Sequence, residues 1–284
     1  MHAIATLGSD ARESSNDPAA EPARPSACPI HTLFRGSGAG VPLGRRLTIL
    51  ATGLVAYLMF VGAFTYAIGF VANLVVPKSI DSGTPGPLVP SLIVNGLLLA
   101  LFAVQHTIMA RPRFKRWLAR FVPEAMERSL FVAAASGSLM LLFWQWRPLP
   151  DTIWHVDHPI LRWLLIGVSL SGYAIVFAAS WMINHFDLFG LRQTWHGVAG
   201  TPRPGINFVL TGFYRFVRHP LMTGFLIAFW VTPTMTVGHL FFAAMTTAYI
   251  IVGTWIEERD LIANLGDTYR NYRKQVPAFL PIPR

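Results

Sequence analysis

The chain is poor in cysteine and in charged residues. It has a single cysteine, Cys28, which excludes an internal disulfide framework and any metal site built on several cysteines. Charged residues make up only 13% of the sequence, about half of the share usual in soluble domains, whereas hydrophobic residues make up 53%. This balance excludes an ordinary soluble domain and favours a protein that exposes most of its surface to lipid.

Long apolar runs predict helices that span a membrane, since about 20 apolar residues cross a bilayer in helical form. We predict four such spans, at about 47–75, 87–109, 129–146 and 160–183. Their length excludes membrane β-strands, which need only about 9–11 alternating residues.

The last apolar region, from Leu221 to Ile256, is too long for one crossing. A polar patch bracketed by Pro233 and Gly238 predicts a break within it. The region is therefore expected to form a helical hairpin, with its second arm starting near residue 238. We predict an all-α integral membrane protein with five to six transmembrane helices.

Basic residues give the chain a formal net charge of +9, and they flank the apolar runs. This arrangement favours orientation in a membrane over nucleic-acid binding, and no obligate protein partner is evident. Because cytoplasmic loops carry the excess of Lys and Arg, both termini are predicted to be cytoplasmic, in a bacterial inner membrane. Residues 1–43, rich in Ala, Ser, Pro and Gly, are expected to be a disordered cytoplasmic extension to a membrane domain at 44–284.

The stretch "FVRHPLMTGF", residues 216–225, places Arg218, His219 and Pro220 directly before an apolar helix. Proline suits the first helical position, where its missing N–H costs nothing. One interpretation is a basic border that follows the orientation rule. The other is an anion site, in which helix N-terminal amides and Arg218 hold a carboxylate or a phosphate.

A second motif, "TWIEERDLIANLGDTYRNYRKQVPAFLPIP", lies at 254–283. Glu257 and Glu258 stand where a long apolar helix leaves the membrane, and carboxylates at that depth are candidates for function. The alternative is a helix that continues into water, with Glu258 paired to nearby arginines. Tyr269 and Tyr272 fit an interfacial aromatic belt equally well.

A hairpin returns the chain to the side where it started, so the two motifs are expected to meet. Together they provide an arginine, a histidine, two carboxylates and aromatic rings beside an apolar cavity. A ligand with a carboxylate, an ammonium group, a ribose diol and a flat base would suit this set, and S-adenosylmethionine is such a ligand.

The two motifs, with about 35 residues between them, resemble the C-terminal signature of the isoprenylcysteine carboxyl methyltransferase and phospholipid methyltransferase superfamily. The resemblance implies an integral-membrane methyltransferase that uses S-adenosylmethionine. It implies cofactor-pocket roles for Arg218, His219, Pro220, Gly224, Glu257, Glu258, Leu261, Tyr269 and Tyr272, and we add Tyr214 from the same stretch. One departure is Met222, where the superfamily usually has tyrosine.

Upstream, "QHTIMARPRFK", "PEAMERSLFVAAAS" and "HFDLFGLRQ" resemble the nurim-like branch of this superfamily. The resemblance implies methylation of a small apolar volatile thiol within the membrane lipid, methanethiol giving dimethyl sulfide. Two enzymatic alternatives are methylation of an isoprenylcysteine carboxylate and of a phospholipid amine. A non-catalytic membrane protein of the nurim type is a third alternative.

A thiol reacts as its thiolate, so a proton acceptor is useful. The candidates are His106, near the end of the second span, and His185 with Asp187, at the end of the fourth. Each also has a structural alternative, since His106 fits a hydrogen-bonding role and Asp187 fits a turn cap or an ion pair with Arg192. No two histidines show helical metal-ligand spacing, so no metal is predicted.

Overall fold

The computed structural model describes residues 41–201 and 212–280, and ten α-helices form most of these residues. In chain order the helices are α1 (Leu43–Ala72), α2 (Leu88–Ala110), α3 (Pro112–Leu118), α4 (Glu124–Gln145), α5 (Pro159–Ile183), α6 (His185–Leu188), α7 (Leu191–Ala199), α8 (Pro220–Trp230), α9 (Val237–Leu265) and α10 (Asp267–Gln275). Two short strands, β1 (Thr152–His155) and β2 (Thr234–Thr236), and a 3₁₀ turn at Gly212–Arg215 complete the described elements. Residues 1–40 of the extension predicted at 1–43 lie outside the described residues.

Among the described residues, five helices are long and apolar enough to cross a membrane, namely α1, α2, α4, α5 and α9. The chain is therefore a multi-pass, all-α integral membrane protein, which confirms the prediction from its apolar runs. The third span begins earlier than its apolar run, which starts near residue 129. The helix extends to Glu124 because Glu124 and Glu127 stand in its first turn, where the helix dipole favours acidic side chains.

The hairpin predicted for the last apolar region is confirmed. With 11 residues, α8 is about 16 Å long at 1.5 Å per residue, roughly half of the ~30 Å hydrocarbon core. Residues 231–233 lead from α8 to β2, which pairs antiparallel with β1, with Met235 opposite Trp154. This strand pair, between the α4–α5 connection and the hairpin turn, was not predicted from the sequence.

The apolar helices pack as a closed ring. Going around it, α1 contacts α4, α4 contacts α2, α2 contacts α9, α9 contacts α8, α8 contacts α5, and α5 contacts α1. The helices α1, α4 and α8 begin at one end of this ring, where α2, α5 and α9 end. We call this the basic end, because it carries Arg45, Arg46, Arg111, Arg113 and Arg116. The ring makes α2 and α9 neighbours, although they are far apart in the sequence.

Glycines allow α5 and α8 to cross in close contact. A Cβ atom on Gly172 would stand 2.5 Å from the carbonyl oxygen of Gly224, and a Cβ atom on Gly224 would stand 2.5 Å from that of Gly172. Next to this crossing, Ser169 Oγ donates to the carbonyl of Ala228 at 2.9 Å. The crossing fixes the position of α8, and with it the residues that precede α8.

Replacing Gly172 by alanine is expected to lower the free energy of unfolding by about 1–3 kcal/mol, because the added methyl group meets backbone that cannot move aside cheaply. The melting temperature of detergent-purified protein measures the effect. Gly167→Ala, in the same helix, is the matched control, since a Cβ atom there meets nothing within 4 Å. Equal melting temperatures for the two variants would contradict the prediction.

Candidate active site

The start of α8 and the end of α9 meet in a buried group of charged side chains. Arg218 Nε donates to Glu258 Oε1 at 2.7 Å, and His219 Nε2 lies 3.1 Å from the same oxygen. The neighbouring carboxylate of Glu257 places Oε2 3.8 Å from His219 Nδ1, and Arg273 Nε of α10 lies 3.3 Å from Glu258 Oε2. We call these five residues the Arg218 cluster. The prediction that the two sequence motifs meet is confirmed.

The guanidinium group of Arg218 also binds the backbone of α10 and of the segment that follows it, residues 276–280, which we call the tail. Its Nη1 donates to the backbone carbonyls of Arg273, at 3.1 Å, and of Val276. Arg218 and Glu258 are only 7% and 6% exposed, so their interaction is shielded from water. Arg218 therefore joins three segments: the start of α8, the end of α9 and the chain that follows α10.

The backbone N–H groups before α8 are bonded within the protein. That of Arg218 donates to the carbonyl of Pro277 at 2.9 Å, and that of His219 donates to the carbonyl of Ala278 at 3.0 Å. Pro220 begins the helix, as predicted, and has no N–H to offer. These two amides thus hold residues 277 and 278 against the start of α8.

Three tyrosines border the Arg218 cluster. The rings of Tyr269 and Tyr272 lie 5.7 Å apart and pack with Leu261, and Tyr272 Oη donates to the backbone carbonyl of Tyr214 at 2.6 Å. Burial raises the pKa of Tyr272 to about 12, and burial together with the charge of Glu257 raises the pKa of Tyr214. The phenols therefore stay protonated at neutral pH and act as hydrogen-bond donors.

A cavity of about 410 Å³ lies between α2 and α9. Its lining is mostly apolar, and Ile108 from α2 and Ile256 from α9 are typical of it. At the basic end Arg111 and Asp260, which also line the cavity, form an ion pair of 3.0 Å. Glu257 lines the cavity as well, so one carboxylate belongs both to the cavity and to the Arg218 cluster.

His106 contacts this cavity from α2. Its ring centroid lies 4.7 Å from that of Phe131 and 5.3 Å from that of Phe102. Its Nδ1 is shielded from solvent and has no hydrogen-bond partner among residues 41–201 and 212–280. A buried polar atom normally has a partner, so this unpaired nitrogen makes His106 a candidate for polar chemistry beside the cavity.

The structure places the other two candidate proton acceptors away from the cavity lining, each with partners of its own. His185 Nδ1 lies 2.9 Å from Ser180 Oγ, and its Nε2 lies 3.1 Å from Tyr57 Oη. Burial lowers the pKa of His185, which keeps its ring neutral. Asp187 Oδ2 accepts from Arg192 Nη1 at 3.0 Å, so the ion pair considered from the sequence is present.

Gly224, which the sequence resemblance placed among cofactor-pocket residues, lies against Gly172 and Val176 of α5. The structure therefore gives it a packing contact, on the side of α8 that faces α5. Met222, where the superfamily usually has tyrosine, is buried.

Three further residues line the cavity with His106 and Glu257 and were not predicted from the sequence, namely Tyr249, Arg111 and Asp260. A signal for part of this set was present in the sequence. Positions 249, 253, 256, 257 and 260 follow the spacing of one helix face, so the polar residues among them form a stripe on an otherwise apolar helix.

The arrangement combines a carboxylate, an imidazole and protonated phenols at the border of an apolar cavity. Such a set can hold a polar cofactor at one end and an apolar reactant at the other, and can accept a proton between them. In the part of the chain that the structure describes, no group of three or more His, Cys, Asp or Glu side chains is placed to hold a metal ion.

Comparison with protein families finds one match, to the family described as NnrU protein, over residues 95–267. The matched region contains most of α2 and all of α4, α5, α8 and α9. It therefore includes both the cavity and the Arg218 cluster, except for Arg273.

Individual relatives match over most of the chain. "Methanethiol S-methyltransferase 2" of Bradyrhizobium diazoefficiens is 54% identical over 236 residues, which are 83% of this chain and 91% of that protein. "Methanethiol S-methyltransferase" of Mycobacterium tuberculosis is 51% identical over 239 residues, 84% of this chain and 98% of that protein. "Nurim" of Bos taurus is more distant, at 29% identity over 185 residues, 61% of this chain and 69% of that protein. No solved structure matches the chain.

Proposed function

The chain belongs to the NnrU protein family and is an S-methyltransferase of the membrane, and we propose that it transfers the methyl group of S-adenosylmethionine to methanethiol, giving dimethyl sulfide. The observation that carries this proposal is the position of Glu257. Its carboxylate lies in the Arg218 cluster and also lines the apolar cavity, so a polar cofactor and an apolar thiol would meet at this residue.

The residues at the basic end fit a sulfonium cofactor. Glu257 has one long contact of 3.8 Å with His219, which leaves its carboxylate able to accept from an ammonium group or a ribose diol. The phenols of Tyr214 and Tyr269 offer hydrogen-bond donors, and the rings of Tyr269 and Tyr272 offer flat faces for a base. When bound, the cofactor supplies an electrophilic methyl group.

Other residues of the proposed cofactor site act by holding it in shape. Arg218 and Glu258 are bonded to each other, so their contribution is to fix the tail over the start of α8. Pro220 starts the helix, and Gly224 allows it to lie against α5. The site is thus partly made of contacts to the ligand and partly of contacts that position those groups.

We assign the thiol proton to His106 rather than to His185 or Asp187. The nucleophile is the thiolate, and even a cysteine-like thiol is mostly protonated at neutral pH, with a pKa of about 8.5. Of these three side chains only His106 lines the cavity, and its Nδ1 has no hydrogen-bond partner among the described residues that would compete for the proton. The apolar walls keep water away from the thiolate and from the methyl donor.

The orientation of the protein follows from its charges, and we propose that the basic end is cytoplasmic, in a bacterial inner membrane. Basic residues are concentrated at this end and are sparse in the connections at the other end, which have Lys78 and Arg147. The orientation rule then places both termini in the cytoplasm. A water-soluble cofactor would reach the Arg218 cluster from that side.

The direct test uses detergent-purified protein, methanethiol and S-adenosylmethionine that carries a trideuterated methyl group. Headspace mass spectrometry should detect dimethyl sulfide with one deuterated methyl group, at an amount that grows with time and enzyme. Failure of folded protein to form this product, although it binds the cofactor, would refute methanethiol as the acceptor.

Replacing Glu257 by glutamine is expected to weaken cofactor binding about 10- to 100-fold, because a charge-assisted hydrogen bond is worth about 1.5–3 kcal/mol. The melting temperature should change little, since Glu258 keeps the partners that hold the tail. Calorimetric titration with S-adenosylmethionine measures the affinity. Asp267→Asn, which removes a nearby exposed carboxylate paired with Arg270, is the matched control. Equal affinities for both variants would remove Glu257 from the cofactor site.

A further inference from the structure

The cavity between α2 and α9 is much larger than methanethiol requires. Its volume is about 410 Å³. An apolar cavity of about 150 Å³ is enough to hold benzene, and pockets for drug-sized ligands start at about 300 Å³. Methanethiol has two heavy atoms and fills a small part of this space, and the methyl end of the cofactor, which would reach the cavity beside Glu257, fills another part.

The lining of the cavity extends to the lipid-facing surface of the helix ring. Val104 and Ile108 of α2 and Val252 of α9 line it, and these side chains are 55%, 49% and 55% exposed. Their exposed parts lie on apolar helices that cross the membrane, so they contact hydrocarbon. A molecule dissolved in the bilayer can therefore reach the cavity between α2 and α9 without passing through water.

Polar groups lie only at particular places in this lining. Among the described residues His106 has an unpaired Nδ1, and Thr107 and Tyr249 add hydroxyl groups. Glu257, Arg111 and Asp260 lie toward the basic end, where the last two are paired. A fitting occupant has one polar group near His106 and Glu257 and an apolar remainder that extends toward the lipid. Thiols with charged groups, such as cysteine, would leave those charges without water or partners among the apolar walls.

We propose that the enzyme methylates a wider class of lipophilic thiols, namely alkanethiols of about four to eight carbons and arenethiols, which bind in this cavity. This inference rests on the proposed function and names its substrate class. The thiolate sulfur forms the new S–CH₃ bond with its own electron pair, while the bond between methyl and the sulfonium of S-adenosylmethionine breaks. S-adenosylhomocysteine leaves with that bond's electrons, and the thiol proton goes to His106 Nδ1 and then to solvent.

The test compares methanethiol, ethanethiol, butanethiol, hexanethiol and thiophenol as acceptors for the purified enzyme with S-adenosylmethionine. From methanethiol to butanethiol, kcat/KM is expected to rise about fourfold for each methylene group that the cavity removes from water. Thiophenol should be methylated at least as efficiently as methanethiol. Cysteine, added as the polar thiol, should not be methylated.

Gly253→Leu fills the cavity and tests where the larger thiols bind. Gly253 lines the cavity, and a Cβ atom there meets nothing within 4 Å, so the new side chain enters open space. The variant should lower kcat/KM for butanethiol and thiophenol at least tenfold more than for methanethiol. Gly167→Leu, on a lipid-facing part of α5 with equally open surroundings, is the control and should leave all ratios unchanged.

The outcomes separate this inference from the proposed function. Turnover of methanethiol with less than one hundredth of that efficiency for butanethiol and thiophenol would overturn the inference and keep the proposed function. If Gly253→Leu and Gly167→Leu methylate the larger thiols equally well, the proposal that these thiols bind in the cavity is overturned. If the enzyme methylates the larger thiols and not methanethiol, the inference is supported and methanethiol is refuted as the acceptor. If folded enzyme methylates no thiol, both the inference and the proposed function are overturned.

Discussion

Replacing Arg218 by leucine is expected to abolish cofactor binding and to lower the free energy of unfolding by about 3–5 kcal/mol, the usual cost of removing one partner from a buried ion pair. The loss is large because Arg218 has several partners. Its guanidinium group binds Glu258 at 2.7 Å and also the carbonyls of Arg273 and Val276. Thermal unfolding and calorimetric titration with S-adenosylmethionine, both in detergent, measure the two effects.

Two further variants separate loss of charge pairing from loss of the site. Arg273→Leu removes a half-exposed partner of Glu258 at 3.3 Å and should cost less than about 1 kcal/mol, as exposed pairs do. The double variant Arg218→Leu with Glu258→Leu has no buried Glu258 carboxylate left without its arginine. Its free energy of unfolding should therefore recover in part, while cofactor binding stays absent. Equal free energies of unfolding for Arg218→Leu and Arg273→Leu would contradict the prediction that Arg218 holds these segments together.

The bilayer explains why the fold could be predicted from this sequence. A spanning helix needs about 20 apolar residues, so run length alone located α1, α2, α4 and α5. The hairpin followed from a run that is too long for one crossing, interrupted near Pro233, and from basic residues on both sides of it. Because the hairpin returns the chain to the basic end, the contact between Arg218 and Glu258 could also be predicted.

An apolar cavity beside the two motifs was predicted, but its wall on α2 could not be, because that helix is apolar on nearly all sides. Lipid and protein interior select the same side chains, so hydrophobic periodicity does not show which face of α2 turns toward α9. His106 and His185 therefore looked equivalent, since each lies where an apolar run approaches the same end of the bundle. Only the packing of the ring shows that His106 lines a cavity with Glu257 while His185 is bonded to Ser180 and Tyr57.

The motif residues also divide in a way that the sequence could not show. Arg218 and Glu258, the most conspicuous charges of the two motifs, are largely engaged by each other, whereas Glu257 borders open space. Gly224 lies at a helix crossing, which a sequence pattern cannot distinguish from a close approach to a ligand. Which residue of a motif contacts a ligand depends on the rotation of α9, and that rotation is a property of the packed bundle.

His106→Asn should lower kcat/KM for methanethiol about 10²- to 10⁴-fold at pH 7, the usual contribution of a positioned proton acceptor. Asparagine retains a hydrogen-bonding group near the position of Nδ1 but cannot accept a proton. Cofactor affinity should be unchanged, because His106 contributes nothing to the Arg218 cluster. The variant is assayed for methylation across pH 6.5 to 9 at saturating S-adenosylmethionine.

The pH dependence distinguishes proton acceptance from a packing role. Without an acceptor the reaction depends on thiolate formed in solution, whose fraction rises about tenfold per pH unit below the thiol pKa of about 8.5 or higher. The kcat/KM of His106→Asn should therefore rise by about tenfold per pH unit, whereas that of the native enzyme should rise less steeply. The ratio between the two values should shrink accordingly as the pH rises. The other ionisable groups on the cavity, Tyr249, Glu257 and the Arg111–Asp260 pair, are identical in both proteins.

His185→Asn is the matched control for this experiment. It removes the hydrogen bonds to Ser180 and Tyr57, so it should lower the melting temperature, yet its pH profile should keep the native slope because His185 does not line the cavity. A constant deficit of His106→Asn at every pH would mean that the imidazole positions the thiol without taking its proton. A steep profile in His185→Asn instead would move the proton acceptor to the end of α5 and separate it from the cavity that Glu257 borders.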